Sequence, residues 1–344
     1  DTISVLLGNG DATFRSAGAY VVGINPRAVA VSDFNGDGKL DLAVAIEGFP
    51  YANPPITGYV SLLLGHGDGT FQLERPAYAT GLGSRSMAVA DFNGDGKPDI
   101  AVGNYGCYWC LAEDPRASIS VLLNRRDGFF LPRTNYVESS GGNSEESYCA
   151  HIAVADFNGD GKPDLVVVKE KLSAYYLLLG KGDGTFQRLT NHVVQPPSPV
   201  ALAIGDLDND GKPDLIVLSN SCVDCGLAGP GSVTVHLGKR DGTFQAGTTN
   251  PTGTDARSVA LADFNGDGKL DLAMANASVS VSDNNTSRRT NGGVSISLGK
   301  GDGSFEAAAN FAEQMSPAAI AVGDFNGDGK PDLVFGGEGV TLLL

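Results

Sequence analysis

A nine-residue motif recurs six times along the 344-residue chain, opening at Asp33, Asp91, Asp156, Asp206, Asp263 and Asp324. Its first copy reads Asp-Phe-Asn-Gly-Asp-Gly-Lys-Leu-Asp over residues 33–41, and successive copies start 58, 65, 50, 57 and 61 residues apart. A period of that size means one supersecondary unit repeated, each unit burying its apolar faces against its neighbours.

The unit around the motif reads as four strands. The first is a short apolar run ending at the motif's first aspartate, as in Ser86-Met-Ala-Val-Ala90. The second leaves the motif, as in Asp99-Ile-Ala-Val-Gly103, and a loop of variable length follows. The third is apolar and β-branched, as in Tyr59-Val-Ser-Leu-Leu-Leu64. A Gly-Asp-Gly turn around Asp11, Asp68, Asp127, Asp183, Asp241 or Asp302 leads into the fourth, because Gly and Asp supply the positive φ a tight hairpin needs. Phe14, Phe71, Phe130, Phe186, Phe244 and Phe305 follow these turns, and packing between neighbouring sheets explains them better than a ligand platform does.

Six four-stranded units without an amphipathic helix predict an all-β chain, a β-propeller with six blades of four antiparallel strands. A seven-bladed ring or a truncated array is the alternative. Residues 1–344 are expected to form a single domain. Residues 1–25 supply strands three and four, residues 318–337 strands one and two, and residues 1–25 and 318–344 together are expected to close the ring. Val340-Thr-Leu-Leu-Leu344 then remains as a spare third strand, equivalent to Ile3-Ser-Val-Leu-Leu7. Its expected partners are a longer array or an edge strand of a second molecule.

The motif is an oxygen cage. Positions one, three, five and nine carry side-chain oxygens, and position seven contributes a backbone carbonyl. The expected ligands are therefore Asp33, Asn35, Asp37, Lys39 and Asp41; Asp91, Asn93, Asp95, Lys97 and Asp99; Asp156, Asn158, Asp160, Lys162 and Asp164; Asp206, Asp208, Asp210, Lys212 and Asp214; Asp263, Asn265, Asp267, Lys269 and Asp271; and Asp324, Asn326, Asp328, Lys330 and Asp332. Hard oxygen donors in this number suit Ca²⁺, about six ions for the chain. Three carboxylates within about 4 Å would repel by up to ~4 kcal/mol per pair at an effective dielectric near 20, which a divalent cation cancels. The loop is no EF-hand: position twelve, where that motif needs a bidentate Glu, holds Val44, Val102, Val167, Val217, Met274 and Phe335. Six equal sites suit a scaffold more than a switch.

The net charge of −16 follows from these loops, since six Ca²⁺ would reduce it to about −4. The acidity is metal-binding capacity, and with no basic stripe the chain is not expected to bind nucleic acid. No apolar run is long enough to span a bilayer. The chain starts at Asp1 without a signal peptide, which suggests processing or excision from something longer. Millimolar calcium and disulfide-permitting conditions both point to an extracellular, cell-surface or periplasmic setting. Cys107 and Cys110, like Cys222 and Cys225, form CxxC pairs in equivalent loops. These are candidate loop-stapling disulfides, with a metal site as the alternative. Cys149 is a free thiol, a partner for Cys107 or Cys110, or an intermolecular link.

The unit, of the form AVADFNGDGKPDLAV…VSLLLGxGDGTF, resembles the FG-GAP/VCBS repeat family of integrin α-subunit propellers, bacterial surface proteins and some lectins. The likeness covers essentially the whole chain. It implies an extracellular calcium-stabilised propeller with an adhesive or carbohydrate-binding role, and it carries the calcium positions onto all six copies, with Asp208 in place of the usual Asn.

Strand direction alternates within a blade, so the aspartate loops and Gly-Asp-Gly turns are expected on one face. The loops of variable length, residues 46–58, 103–117, 137–150, 219–231 and 276–293, are expected on the other, where function tends to sit. Tyr51, Tyr105, Tyr108 and Trp109 are the ligand-binding candidates, for a glycan or an extracellular protein. Asn276, Asn284 and Asn285 begin glycosylation sequons. Three functions compete: an adhesion or binding module, a surface or filament subunit assembling through Val340–Leu344, and a polysaccharide-active enzyme. Catalysis is the poorest fit, because the four histidines are scattered and only Glu145 and Glu146 beside Tyr148 offer a carboxylate cluster.

Overall fold

A computed structural model describes residues 1–11, 13–49, 56–74, 77–106, 117–125, 129–131, 134–137, 149–169, 174–189, 192–193, 199–220, 231–252, 255–277, 280–283, 286–289, 292–312, 315–336 and 340–344. Among them there is no helix; the chain is all-β, a β-propeller with one blade for each of the six aspartate loops. The first blade orders Pro26–Ser32, Asp41–Ile46, Tyr59–Gly65 and Phe71–Leu73 side by side, with Tyr78–Ala79 continuing the outer edge. The second orders Ser84–Ala90, Asp99–Asn104, Ser118–Leu122 and Thr134–Val137. The third, fourth and fifth repeat this antiparallel order, opening on Cys149–Ala155, Pro199–Gly205 and Asp255–Ala262. A separate hairpin, Ser280–Asp283 with Thr286–Arg289, is inserted into the fifth.

The inner strands are buried on both faces, as at Asp99–Asn104, Ser118–Leu122 and Asp214–Ser219. That is why they read as continuous apolar runs with no alternation. In five blades the first strand has a register shift near its start, next to Arg27, Arg85, Ala150, Val200 and Arg257. A bulge there adds a residue and re-aims the strand at its entry.

The ends of the chain depart from the expected pairing. In the sixth blade, Ala319–Gly323 and Asp332–Gly336 are joined by Val340–Leu343, which takes the third-strand position itself. Thr2–Gly8 pairs with Phe14–Val21 in a sheet of two. The strand left over is therefore at the beginning of the chain and not at its end. The two candidates are near-identical apolar strands, and Val340–Leu343 is four residues from Gly336 in sequence, so its loop closes at lower entropic cost.

The chain divides into two compact units. One holds Asp1–Leu7, Arg15–Asp156 and Asp160–Val193, and the other Gly8–Phe14, Phe157–Gly159 and Val194–Leu344. Within the first, Phe34, Ala43, Ala45, Val60 and Leu62 of blade one pack on Ile100, Val102, Leu122 and Phe130 of blade two. Blades two and three meet through a second apolar cluster, including Ala101, Ile119, Val167 and Tyr176. Blades four and five, then five and six, pack in the same way inside the second unit. Two turn phenylalanines lie in the seams of the first unit: Phe130 meets Phe34 edge-on at 6.0 Å and Phe186 meets Phe92 at 5.5 Å.

Candidate metal centres

Each aspartate loop is a backbone wrapped around carboxylates. In the first copy, Asp33 Oδ1 accepts the N–H groups of Gly36 and Asp37 at 2.7 and 3.1 Å, and Oδ2 accepts Gly38 N–H at 2.8 Å. Asn35 Oδ1 accepts Asp37 N–H and Asp37 Oδ1 accepts Lys39 N–H, both at 2.9 Å. The same pattern recurs from Asp91, Asp263 and Asp324. Gly36 and Gly38 have φ of 75° and 82°, a region that favours glycine. In the fourth copy Asn209 occupies the equivalent of Gly36 at φ 57°, which Asn tolerates better than most residues.

The ninth-position aspartates form the floor. Asp41, Asp99, Asp164, Asp214, Asp271 and Asp332 are buried although charged. Their oxygens hold two elements together. Oδ2 of Asp41 accepts Phe34 N–H at 2.9 Å inside the loop, while Oδ1 accepts Gly65 N–H at 2.8 Å from the end of strand three. Asp99 binds Phe92 and Asn124 in this way, Asp214 binds Leu207 and Gly238, and Asp271 binds Phe264 and Gly299. The loop and the Gly-Asp-Gly turn thus share one end of the blade. Gly65 is required there, because a Cβ would come within 2.1 Å of the Leu40 carbonyl oxygen. Blade two has Asn124 instead, whose amide donates to Phe34 O at 2.8 Å and Pro98 O at 3.1 Å.

Burial raises the pKa of three floor carboxylates, Asp41, Asp99 and Asp214, and neighbouring loop aspartates raise it further. Asp99 is pushed up to about 6 by burial and by the charges of Asp95 and Asp91, against the pull of its backbone donors. Asp41 and Asp214 move in the same direction, again chiefly through burial. Asp208 is raised by burial and by Asp210 and Asp206, whose carboxylate oxygens lie with its own within 4.8 Å of one another. Exposed members go the other way: backbone N–H donors, led by Gly268 and Gly329, hold Asp263 and Asp324 below the usual carboxylate range. A buried acid kept protonation-prone by its own loop is a site short of positive charge, and the all-oxygen donor set fits a hard divalent cation.

The lysine at position seven has a second role that its carbonyl does not reveal. Its ammonium reaches back to the fifth-position aspartate in all six copies, at 3.6 Å for Lys39–Asp37, 2.5 Å for Lys97–Asp95 and 3.7 Å for Lys162–Asp160. Lys212–Asp210, Lys269–Asp267 and Lys330–Asp328 repeat the pair. The i, i+2 spacing was the available signal.

The opposite end of the blades differs from one repeat to the next. Glu47, 6% exposed, accepts Arg27 Nε at 2.8 Å and Nη2 at 2.6 Å, and Arg85 Nε lies 4.0 Å away. The Arg85 guanidinium sits 4.1 Å from the centroid of the Tyr105 ring, so this ligand-binding candidate is an arginine platform within the fold. Buried Asn104 donates to Ser118 and Ser120 and accepts from Ser84. His151 is pushed down to about 4 by burial and by Arg85. Asn276 is 5% exposed and donates to Ser295, which removes this sequon from the accessible surface. Tyr51, Tyr108, Trp109, Cys107, Cys110, Cys222, Cys225, Glu145, Glu146, Tyr148, Asn284 and Asn285 lie outside the described residues. Cys149 opens the first strand of blade three.

Blades with an acidic hairpin at one end and individual loops at the other define a repeat-built binding or scaffold fold. Residues 1–44, 33–102, 108–167, 156–217, 221–274 and 279–335 match the FG-GAP-like repeat, and residues 256–296 also match the FG-GAP repeat. The chain belongs to the FG-GAP-like repeat family. Over 156 residues it is 29% identical to the phosphatidylinositol-glycan-specific phospholipases D of Bos taurus and Homo sapiens, a stretch that is 41% of this chain and 18% of either enzyme. Among solved structures, Kuenenia stuttgartiensis hydrazine synthase matches with a TM-score of 0.55 at 16% identity, over 94% of this chain and 79% of that one. BBS1N in complex with ARL6DN matches with a TM-score of 0.54 at 13% identity, over 99% and 86%. At these identities the likeness is one of fold. Among the described residues no helix is long and apolar enough to cross a membrane.

Proposed function

We propose that the chain is an extracellular calcium-stabilised binding module, displaying variable loops for a glycan or protein partner on a metal-fixed frame. The observation that carries this reading is the buried floor carboxylate. Asp41, Asp99, Asp214 and Asp271 are buried in the loop's floor and each anchors two backbone segments, while Asp164 and Asp332 are buried at the equivalent positions. In each loop, side-chain oxygens at positions one, three and five, the carbonyl at position seven and the carboxylate at position nine would hold one Ca²⁺. The ion supplies positive charge where burial and mutual repulsion disfavour ionised aspartates. The protein supplies the rest: backbone N–H groups orient the first aspartate, and the floor aspartate couples loop to turn.

The supporting contrast lies in the two ends. The loop end is nearly uniform in sequence, and the other end carries the variation expected of a recognition surface. Calorimetric titration of chelator-stripped protein with Ca²⁺ tests the metal reading. The expected stoichiometry is about six, and the absence of calcium binding overturns it. A glycan array run with and without chelator tests the ligand class. Silence on the array together with a protein captured from extracellular fluid would favour the protein partner. The activity of the phospholipases is not extended to this chain, because the shared stretch is 18% of those enzymes.

A further inference from the structure

The seam between blades four and five replaces two large side chains by small polar ones. Ser297 of strand three lies opposite Leu272. The same register position is leucine in blades one, two, three and six, at Leu63, Leu122, Leu178 and Leu343. In the seam between blades one and two, Leu122 is buried beside Phe130, and Tyr78 meets Phe130 edge-on at 5.0 Å. Asn250 takes the register position of Tyr78, lying opposite Val233 as Tyr78 lies opposite Val60. Leucine to serine and tyrosine to asparagine both remove volume, and here blades four and five enclose a cavity of about 260 Å³.

The cavity has an apolar floor and a polar mouth. Val233, Leu272 and Met274 are buried at the floor, and the half-buried Phe305 adds an aromatic wall. Ser297 lies among them at 6% exposure, and its hydroxyl makes no hydrogen bond to any described residue. Asn250 and Glu306 are exposed and line the mouth. The Glu306 backbone is fixed by its N–H bond to Leu298 O at 2.7 Å, and among the described residues its carboxylate has no ion pair. This layout selects its occupant. A basic side chain entering from outside would press its cation on the apolar floor and leave its stem at the carboxylate. An apolar side chain would fill the floor but leave the Ser297 hydroxyl desolvated without a partner.

We infer that this pocket binds one neutral pyranose unit of a glycan, an assignment that rests on the binding-module reading above. The C–H face of the ring packs on Leu272, Met274 and Phe305. One ring hydroxyl supplies the partner that Ser297 lacks. Others pair with the Asn250 amide and donate to the Glu306 carboxylate, whose charge strengthens the bond. The volume is below the ~300–1,000 Å³ of sites for drug-sized ligands, so a single ring enters and the rest of the glycan stays outside. A carboxylate at the mouth repels uronic and sialic acids, which makes the site selective for neutral sugars.

The chain has three methionines, and Met274 lies on the pocket floor, so its methyl group is a reporter. The calcium-saturated 344-residue chain, labelled at the methionine methyl carbons, is titrated by NMR with the methyl pyranosides of glucose, galactose and mannose; Met274→Leu assigns the signal. At least one glycoside is expected to shift the Met274 signal saturably at millimolar concentration while Met87, in blade two, stays fixed. Ser297→Leu, which restores the leucine of the other blades, should weaken that binding at least tenfold without lowering the melting temperature. Glu306→Ala should weaken it by a similar factor. A Met274 signal unmoved by all three glycosides overturns the proposal, as does undiminished binding in Ser297→Leu. A stronger response to the amide of Nα-acetyl-leucine or Nα-acetyl-lysine also overturns it, by assigning the pocket to a peptide side chain. Glycan-array binding that survives Ser297→Leu while Met274 stays silent overturns this pocket and leaves the wider reading standing. An array and a Met274 signal that are both silent remove the glycan reading as well.

Discussion

The two ends of each blade are built by different physics. At the loop end, six copies of one hairpin repeat the same donors and acceptors, and backbone N–H groups converge on aspartates within a few residues of themselves. At the other end the polar contacts differ between blades: Arg27 and Arg85 meet on Glu47 across blades one and two, whereas Asn104 of blade two and its counterpart Asn276 of blade five each donate to a serine of strand three. Local geometry can be copied from repeat to repeat. A pair between blades, such as Arg85 with Glu47, needs particular residues in two different repeats and is not copied with the hairpin.

Removing calcium should separate the ends most sharply. At about ten times Kd each site contributes ~1.4 kcal/mol, so six sites together contribute about 8 kcal/mol. A large fall in melting temperature on chelation is expected by scanning calorimetry, and an unchanged melt would break the comparison. Asp99→Ala comes next. It leaves the buried N–H groups of Phe92 and Asn124 without their acceptor and should cost ~3 kcal/mol in urea denaturation without calcium, and more with it because a proposed ligand is lost.

The opposite end should respond to acid. His151 is held neutral in the fold to about pH 4, while the unfolded chain protonates it near 6.5. The depressed value means no penalty above pH 6.5 and a growing loss as pH falls toward 4, reaching ~3 kcal/mol. His151→Gln should flatten that slope in calcium-saturated buffer, and a slope that persists would assign the acid sensitivity elsewhere. Glu47→Gln should cost ~1 kcal/mol by leaving Arg27 and Arg85 without their carboxylate. Lys97→Ala should have the smallest effect, under ~0.5 kcal/mol in thermal melts, because its pair with Asp95 faces solvent.

The repeat and its strands were readable because they are local. The Gly-Asp-Gly turns, the strand starts at Asp41, Asp99, Asp164, Asp214, Asp271 and Asp332, and the phenylalanine seams all follow from residues within one period. The pairing at the ends was not readable. Ile3–Leu7 and Val340–Leu344 carry the same apolar pattern, and nothing in either states which will lie beside Asp332–Gly336. The lysine–aspartate pairs and the Asn124 bridge were missed for a related reason: both depend on where a loop's side chains point once its backbone has turned.

Linear order thus set the period, the strand content and the oxygen-rich hairpins, since each depends on neighbours a few bonds apart. Folding in three dimensions settled which strand lay beside Asp332–Gly336 and which tyrosine lay under an arginine. Those outcomes depend on competition between distant segments for the same edge or face. Similar sequences compete nearly equally, so small differences in loop closure and packing choose among them.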